Sequence, residues 1–117
     1  MLIFILKRVW YEKIKSGEKT IEYREVKDYW RKRFISHFLL NDDEMRDIGD
    51  SYIYDENNPA AMCKLRLGYT RKYMTARINK IEVINGLSTD LAIDKPVYAI
   101  HFLVGREYTE PLEKWHN

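Results

Sequence analysis

The sequence predicts a single α+β domain built on a small curved sheet of about five strands, with two to three short helices against it. Three observations carry that expectation. Five runs of strand length are apolar or alternate in polarity, two other segments repeat their apolar residues every four positions, and one strand changes phase in mid-run, as a bulge that bends a sheet towards a barrel would require. The length agrees, since 117 residues is the size of one domain. With 45% hydrophobic and 14% aromatic residues against only five Gly and three Pro, the composition excludes disordered and collagen-like chains.

Residues 2–6 form a continuous apolar run that reads as a buried first strand. In Arg8 to Ser16, Trp10 and Ile14 stand four apart with Val9 beside them, while Glu12, Lys13 and Lys15 lie around the turn, so this segment is an amphipathic helix. Gly17 follows where a helix takes a left-handed residue to stop. From Lys19 to Arg24 the residues alternate, with Ile21 and Tyr23 on one face and Thr20, Glu22 and Arg24 on the other, a strand with one polar face. Val26, Trp30 and Phe34 then recur every four residues, with Lys27, Arg31 and Lys32 off the stripe, giving a second helix whose exposed side is basic. Residues 41–58 are acidic, end in Asn57-Asn58-Pro59 and show no firm period, and so read as a long loop or insertion.

Cys63, Leu65 and Leu67 alternate with Lys64 and Arg66 in a half-buried strand that stops at Gly68, and Arg71 and Lys72 fall in the turn of a hairpin. In the returning strand the apolar phase runs through Met74, Ala76 and Ile78, then shifts to Ile81 and Val83, which marks a β-bulge. Ser88 stands where it would cap a helical turn containing Leu91 and Ile93. After Pro96, one face carries Tyr98, Ile100, Phe102 and Val104 and the other Val97, Ala99 and Leu103, so the last strand is expected to be central and buried. No repeat or linker divides the chain, which reads as one domain over residues 1–117.

Twenty Lys and Arg against 18 Asp and Glu leave a formal charge of +2, too small for general coating of polyanions. That total is a cancellation between blocks. Residues 1–34 hold ten bases and five acids, residues 41–58 seven acids against Arg46, residues 59–80 six bases and no acid, and residues 81–117 three bases and six acids. Charges act together within about 10 Å at physiological salt, so two basic blocks folded onto one face would attract phosphate from a nearly neutral molecule. The alternative is that the blocks pair with one another.

A single cysteine, Cys63, makes neither an internal disulfide nor a Cys-rich zinc cluster, which points to a reducing cytoplasm. The apolar opening is cut off by Lys7 and Arg8, too short for a signal core or a membrane span. His37, His101 and His116 have no ligand spacing, so no metal or cofactor is expected, and His101 and Cys63 read as core.

The most informative stretch is Ser16-Gly17-Glu18-Lys19-Thr20-Ile21-Glu22-Tyr23-Arg24. A turn glycine lets a ligand approach the backbone, and the strand after it displays a hydroxyl, a carboxylate and a guanidinium on one face. Alternate strand residues lie about 7 Å apart, so Glu22 and Arg24 would span a planar polar ligand such as a base with its phosphate. Strict alternation turns Lys19 the other way, and only a rotation at the strand start brings it beside them. The plainer reading is a Glu22–Arg24 ion pair on a solvated sheet face.

A second group, Lys64, Arg66, Arg71, Lys72 and Arg77 interleaved with Tyr69 and Tyr73, combines cations for phosphates with rings for unpaired bases. Its plainer reading is a solvated hairpin. Trp10, Tyr29, Trp30 and Phe34 sit on the helical segments and read as core.

Preceded by Trp10 and Ile14 and followed by Glu25, Tyr29-Trp30 and Arg33, the Gly-x-Lys-Thr-x-Glu-x-Arg stretch from Gly17 to Arg24 resembles the signature of the ASCH domain. It is most similar to the small single-domain bacterial and phage members. Leu65-Arg66-Leu67-Gly68-Tyr69 is similar to that family's second landmark and Ile78 to Ile84 to the strand after it, while residues 36–58 are the least constrained. The resemblance implies a PUA-like fold, a small β-barrel with helices around it. It also implies a cleft between barrel and helices that binds RNA or a nucleotide-like small molecule. In that cleft Gly17 would shape the turn, Lys19 supply a cation, and Glu22 and Arg24 supply polar contacts.

The resemblance carries an enzyme alternative as well. Some members remove an acyl group from acylated cytidine and some are ribonucleases, which makes Lys19, Glu22 and Thr20 the catalytic candidates here. In the amidohydrolases a threonine stands two residues before the motif arginine, whereas this chain has Glu22 at that place and its Thr20 elsewhere. A lysine that acts as base or nucleophile needs a depressed pKa, which Arg24 would promote and Glu22 oppose, so the set suits holding a ligand better than cleaving an amide. A third reading is a protein-interaction surface on the acidic stretch 41–58.

Overall fold

The computed structural model describes residues 2–38, 44–55 and 57–111. Residues 41–43 and Glu56 of the acidic stretch, and His116, lie outside the described residues. The chain runs β1 (Leu2–Leu6), α1 (Arg8–Lys15), β2 (Ile21–Glu25), α2 (Asp28–Phe38), β3 (Ser51–Ile53), β4 (Met62–Leu67), β5 (Lys72–Asn85) and β6 (Pro96–Thr109). The class is α+β, as expected, but six strands form one open mixed sheet where five were expected. Its order is β1-β4-β5-β6-β2, with β3 beside β5; β1 and β4 run parallel and the other pairs antiparallel.

The additional strand corrects the reading of residues 41–58 as loop. β4 covers β5 only as far as Arg77, and the three residues of β3 take the next part of the same edge, at Lys80 to Glu82. The bulge falls where the apolar phase shifts, with register breaks between Met74 and Ala76 and between Ile78 and Lys80. Ser88 closes its turn instead of opening it. The short 3-10 turn is Gly86–Ser88, and the Asn85 side chain caps it by accepting from the Leu87 N–H.

Bending brings the two ends of the sheet together. Four strand spacings separate β1 from β2, about 19 Å in a flat sheet. Yet Arg24 on β2 donates to the Ile5 carbonyl on β1 at 3.1 Å. The main core fills the concave side, where Trp30 of α2 stacks on Phe4 at 5.0 Å and Phe34 meets Tyr98 edge-on at 4.8 Å.

The first strand is half-buried rather than wholly buried, because Leu2, Phe4 and Leu6 enter this core and Ile3 and Ile5 face outward. On α1 the buried pair is Tyr11 and Ile14, not Trp10. Val97 and Ala99 are buried on the opposite face of β6. Gly86 packs over Val97 so closely that a Cβ there would come within 2.6 Å of the Ile93 carbonyl oxygen. Among the described residues no helix is long and apolar enough to cross a membrane.

Candidate functional site

The turn after α1 determines where Lys19 points. Gly17 takes φ +85°, a left-handed conformation that glycine adopts without strain. Its N–H bonds the Ile14 carbonyl while the Lys19 N–H bonds the Lys13 carbonyl, so the turn satisfies the end of α1 as it reverses the chain. Lys19 is thereby directed back towards Trp10. Its ammonium lies 5.2 Å from the Trp10 ring centroid and 4.8 Å from that of Tyr23, and it forms an ion pair with Asp90 from the segment between β5 and β6. These groups, with Thr20 and Lys13, line a cleft of about 300 Å³.

Glu22 and Arg24 project from the other face of β2. They stand opposite Ile100 and Tyr98 on β6, and so face the concave side. Glu22 is 8% exposed, the one buried charged residue among those described. Its carboxylate accepts from the Tyr23 N–H at 2.9 Å and lies 3.5 Å from the Arg24 guanidinium. Burial pushes its pKa above the ordinary carboxylate value, against the pull of Arg24, the Tyr23 N–H and Lys19.

Arg24 is held between Phe4 and Trp30, 5.8 and 5.3 Å from their ring centroids, and its Nε is buried without a partner. The motif therefore divides. Lys19 and Thr20 open on the 300 Å³ cleft, Glu22 is enclosed, and Arg24 lines an adjoining hollow with Lys27 and Trp30. Tyr23 borders both spaces.

The second basic group lies on the β4–β5 hairpin and is largely paired. Arg66 bonds Glu110 at 2.7 and 3.2 Å, Lys64 reaches the same carboxylate at 3.3 Å, and Arg71 donates to the Glu110 carbonyl. Arg66 first, then Lys64, pulls the Glu110 carboxyl down to about 2. Tyr73 stacks on Tyr108 at 5.5 Å with the Lys64 ammonium 4.5 Å above it. Tyr69 stands free at the turn, 91% exposed, and Lys72 is also exposed.

Sequence reasoning missed three participants. Trp10 reads as core from its helical spacing but is only partly buried and walls the cleft, although the three-residue spacing of Tyr11 and Ile14 already describes an inward face without it. Tyr23 shares the apolar face of its strand with Ile21, and Asp90 carries no local signal. His101 was expected in the core; it is half-buried on the outer face, with Nε2 2.6 Å from Glu82. Cys63 is core as expected, and burial pushes its thiol up to about 12, far from reactive. Among the described residues no three His, Cys, Asp or Glu side chains gather as metal ligands would.

No family model, curated protein or solved structure matches the chain. The geometry therefore carries the functional argument. An ammonium donor and a carboxylate acceptor lie side by side in the lining of the cleft with an indole as one wall, an arrangement complementary to a flat ligand bearing both acceptor and donor groups.

Proposed function

We propose that this chain is an ASCH-type domain of PUA-like fold that binds RNA or a nucleotide-like ligand in the Lys19 cleft. The single observation that carries the reading is the placing of Lys19 between the Trp10 and Tyr23 rings beside Asp90. A nucleobase stacks on such a ring, and its edge offers an acceptor to the ammonium and an amino donor to the carboxylate. The volume, about 300 Å³, is at the lower end of ligand pockets and suits one such unit.

Isothermal titration with mononucleotides and short single-stranded RNA tests the reading. Lys19→Ala should weaken binding about tenfold, the loss of one charge-assisted bond, with an unchanged circular dichroism spectrum. Equal affinity of variant and wild type would discard it.

Hydrolysis of an acylated nucleoside is a second reading, favoured by the position of Thr20 in the same cleft as Lys19. The Lys19 side chain is tied to the Asp90 carboxylate, a contact that holds it in place and supports binding over turnover. Release of cytidine from N4-acetylcytidine, lost in Lys19→Ala, would reverse that preference.

A further inference from the structure

The Lys19 cleft is one of four hollows that share lining residues. Tyr23 forms a wall both of that cleft and of a hollow of about 330 Å³, whose Arg24 and Trp30 in turn line a smaller hollow against Ile3, Ile5 and Tyr29. Those last three residues also line a groove of about 670 Å³ between α2, β1 and the β4–β5 turn. These hollows share lining residues in sequence from Lys19 to Tyr69.

In the groove, cations and flat rings adjoin. The Arg33 guanidinium lies 3.4 Å from the centroid of Tyr29, which is 56% exposed, and Tyr69 forms another part of the wall. Lys32, Arg33 and Arg66 line it, and among the described residues no carboxylate does. Arg66 is engaged by Glu110; Lys32 and Arg33 are exposed and have no carboxylate partner among the described residues.

This chemistry selects its occupant. A free anion uses the cations but not the rings, an apolar segment uses Ile3 and Ile5 but not three cations, and a duplex hides the faces of its bases. A single strand presents phosphates and base faces together. We propose that the groove holds successive nucleotides of a single-stranded nucleic acid, with phosphates at Lys32 and Arg33 and bases on Tyr29 and Tyr69. The inference rests on the reading of the Lys19 cleft and extends it from one nucleotide unit to a strand.

The test uses the full chain and fluorescence anisotropy with labelled single-stranded RNA of about 4 and about 12 nucleotides, at about 50 to 200 mM salt, with titration of mononucleotides beside it. The longer strand should bind more tightly. Lys32→Ala with Arg33→Ala should reduce the slope of log affinity against log salt by about 1.4, and Tyr69→Ala should weaken the longer strand about fivefold or more, all without changing mononucleotide binding. These side chains are exposed, and circular dichroism checks that the variants fold.

Equal affinity for both lengths, unaffected by these variants while mononucleotides still bind, would overturn the groove and leave the Lys19 cleft standing. Strand binding that needs the groove residues but not Lys19, with no mononucleotide binding, would support the groove and overturn the cleft. Binding of poly-glutamate, lost in the groove variants, with none of RNA, would assign the groove to an acidic peptide and overturn the proposal.

Discussion

Removing the Arg24 side chain tests how the two ends of the sheet are held. Arg24→Ala deletes the bond to the Ile5 carbonyl at 3.1 Å, the packing between Phe4 and Trp30, and the cation 3.5 Å from Glu22. A charge-assisted bond is worth roughly 1.5–3 kcal/mol, and stranding a fully buried charge costs about 3–5 kcal/mol. The Arg24 side chain keeps 25% of its exposure and that of Glu22 10%, so water screens the pair and the expected loss is about 2–4 kcal/mol, near 10 °C in Tm.

The loss should depend on pH with a definite sign. The carboxyl of Glu22 is raised in the folded state, so its contribution to stability is present below the unfolded pKa and is lost as pH rises through the folded one. Without Arg24 that folded value rises further. The deficit of the variant should therefore be greatest near neutral pH and narrow on acidification, and adding Glu22→Gln should recover about 1 kcal/mol or more at neutral pH by removing the stranded charge. Urea denaturation followed by circular dichroism, at about pH 5 and about pH 7.5, measures both. A deficit that is the same at both pH values and unchanged in the Gln background would refute the coupling and leave Arg24 as a packing residue only.

Three further outcomes follow from the same geometry. Gly86→Ala places a Cβ 2.6 Å from the Ile93 carbonyl oxygen and 2.8 Å from Val97, where backbone must move, and should cost about 1–3 kcal/mol in urea denaturation. Asp90→Ala removes the acceptor for the amino group of the base and should weaken binding of a mononucleotide severalfold; calorimetry reads it. Native Cys63 should resist a thiol reagent at pH 8, since burial pushes it up to about 12, and react fully once urea unfolds the chain.

Much of the frame is legible in local pattern. The Leu65 and Leu67 alternation, the stop at Gly17 and the phase shift after Ile78 are statements about neighbouring residues, and each appears in the structure where the pattern puts it. β3 is different. Ser51, Tyr52 and Ile53 are all exposed and carry no alternation; they are a strand because the edge of β5 beyond Arg77 accepts one. The orientation of β2 was misleading for a related reason. Ile21 and Tyr23 face the half-buried side with Trp10 and Asp90, whereas the carboxylate of Glu22 is enclosed, because both faces of this strand are covered.

Composition, periodicity and turn residues settle the α+β class, the bulged strand and the presence of a Lys-Thr-x-Glu-x-Arg motif, since these depend on residues a few positions apart. Which of those side chains meet is decided only by closure of the sheet. Lys19 finds Asp90 across 71 positions, Arg66 finds Glu110 across 44 and Arg24 finds Ile5 across 19. Partners so far apart are brought together by strand register and bending, and neither is written in the neighbourhood of either residue. The near-neutral charge shows the same division: the sequence separates basic and acidic blocks, and the fold pairs Lys64 and Arg66 of the hairpin with Glu110 while leaving Lys32 and Arg33 open along the groove.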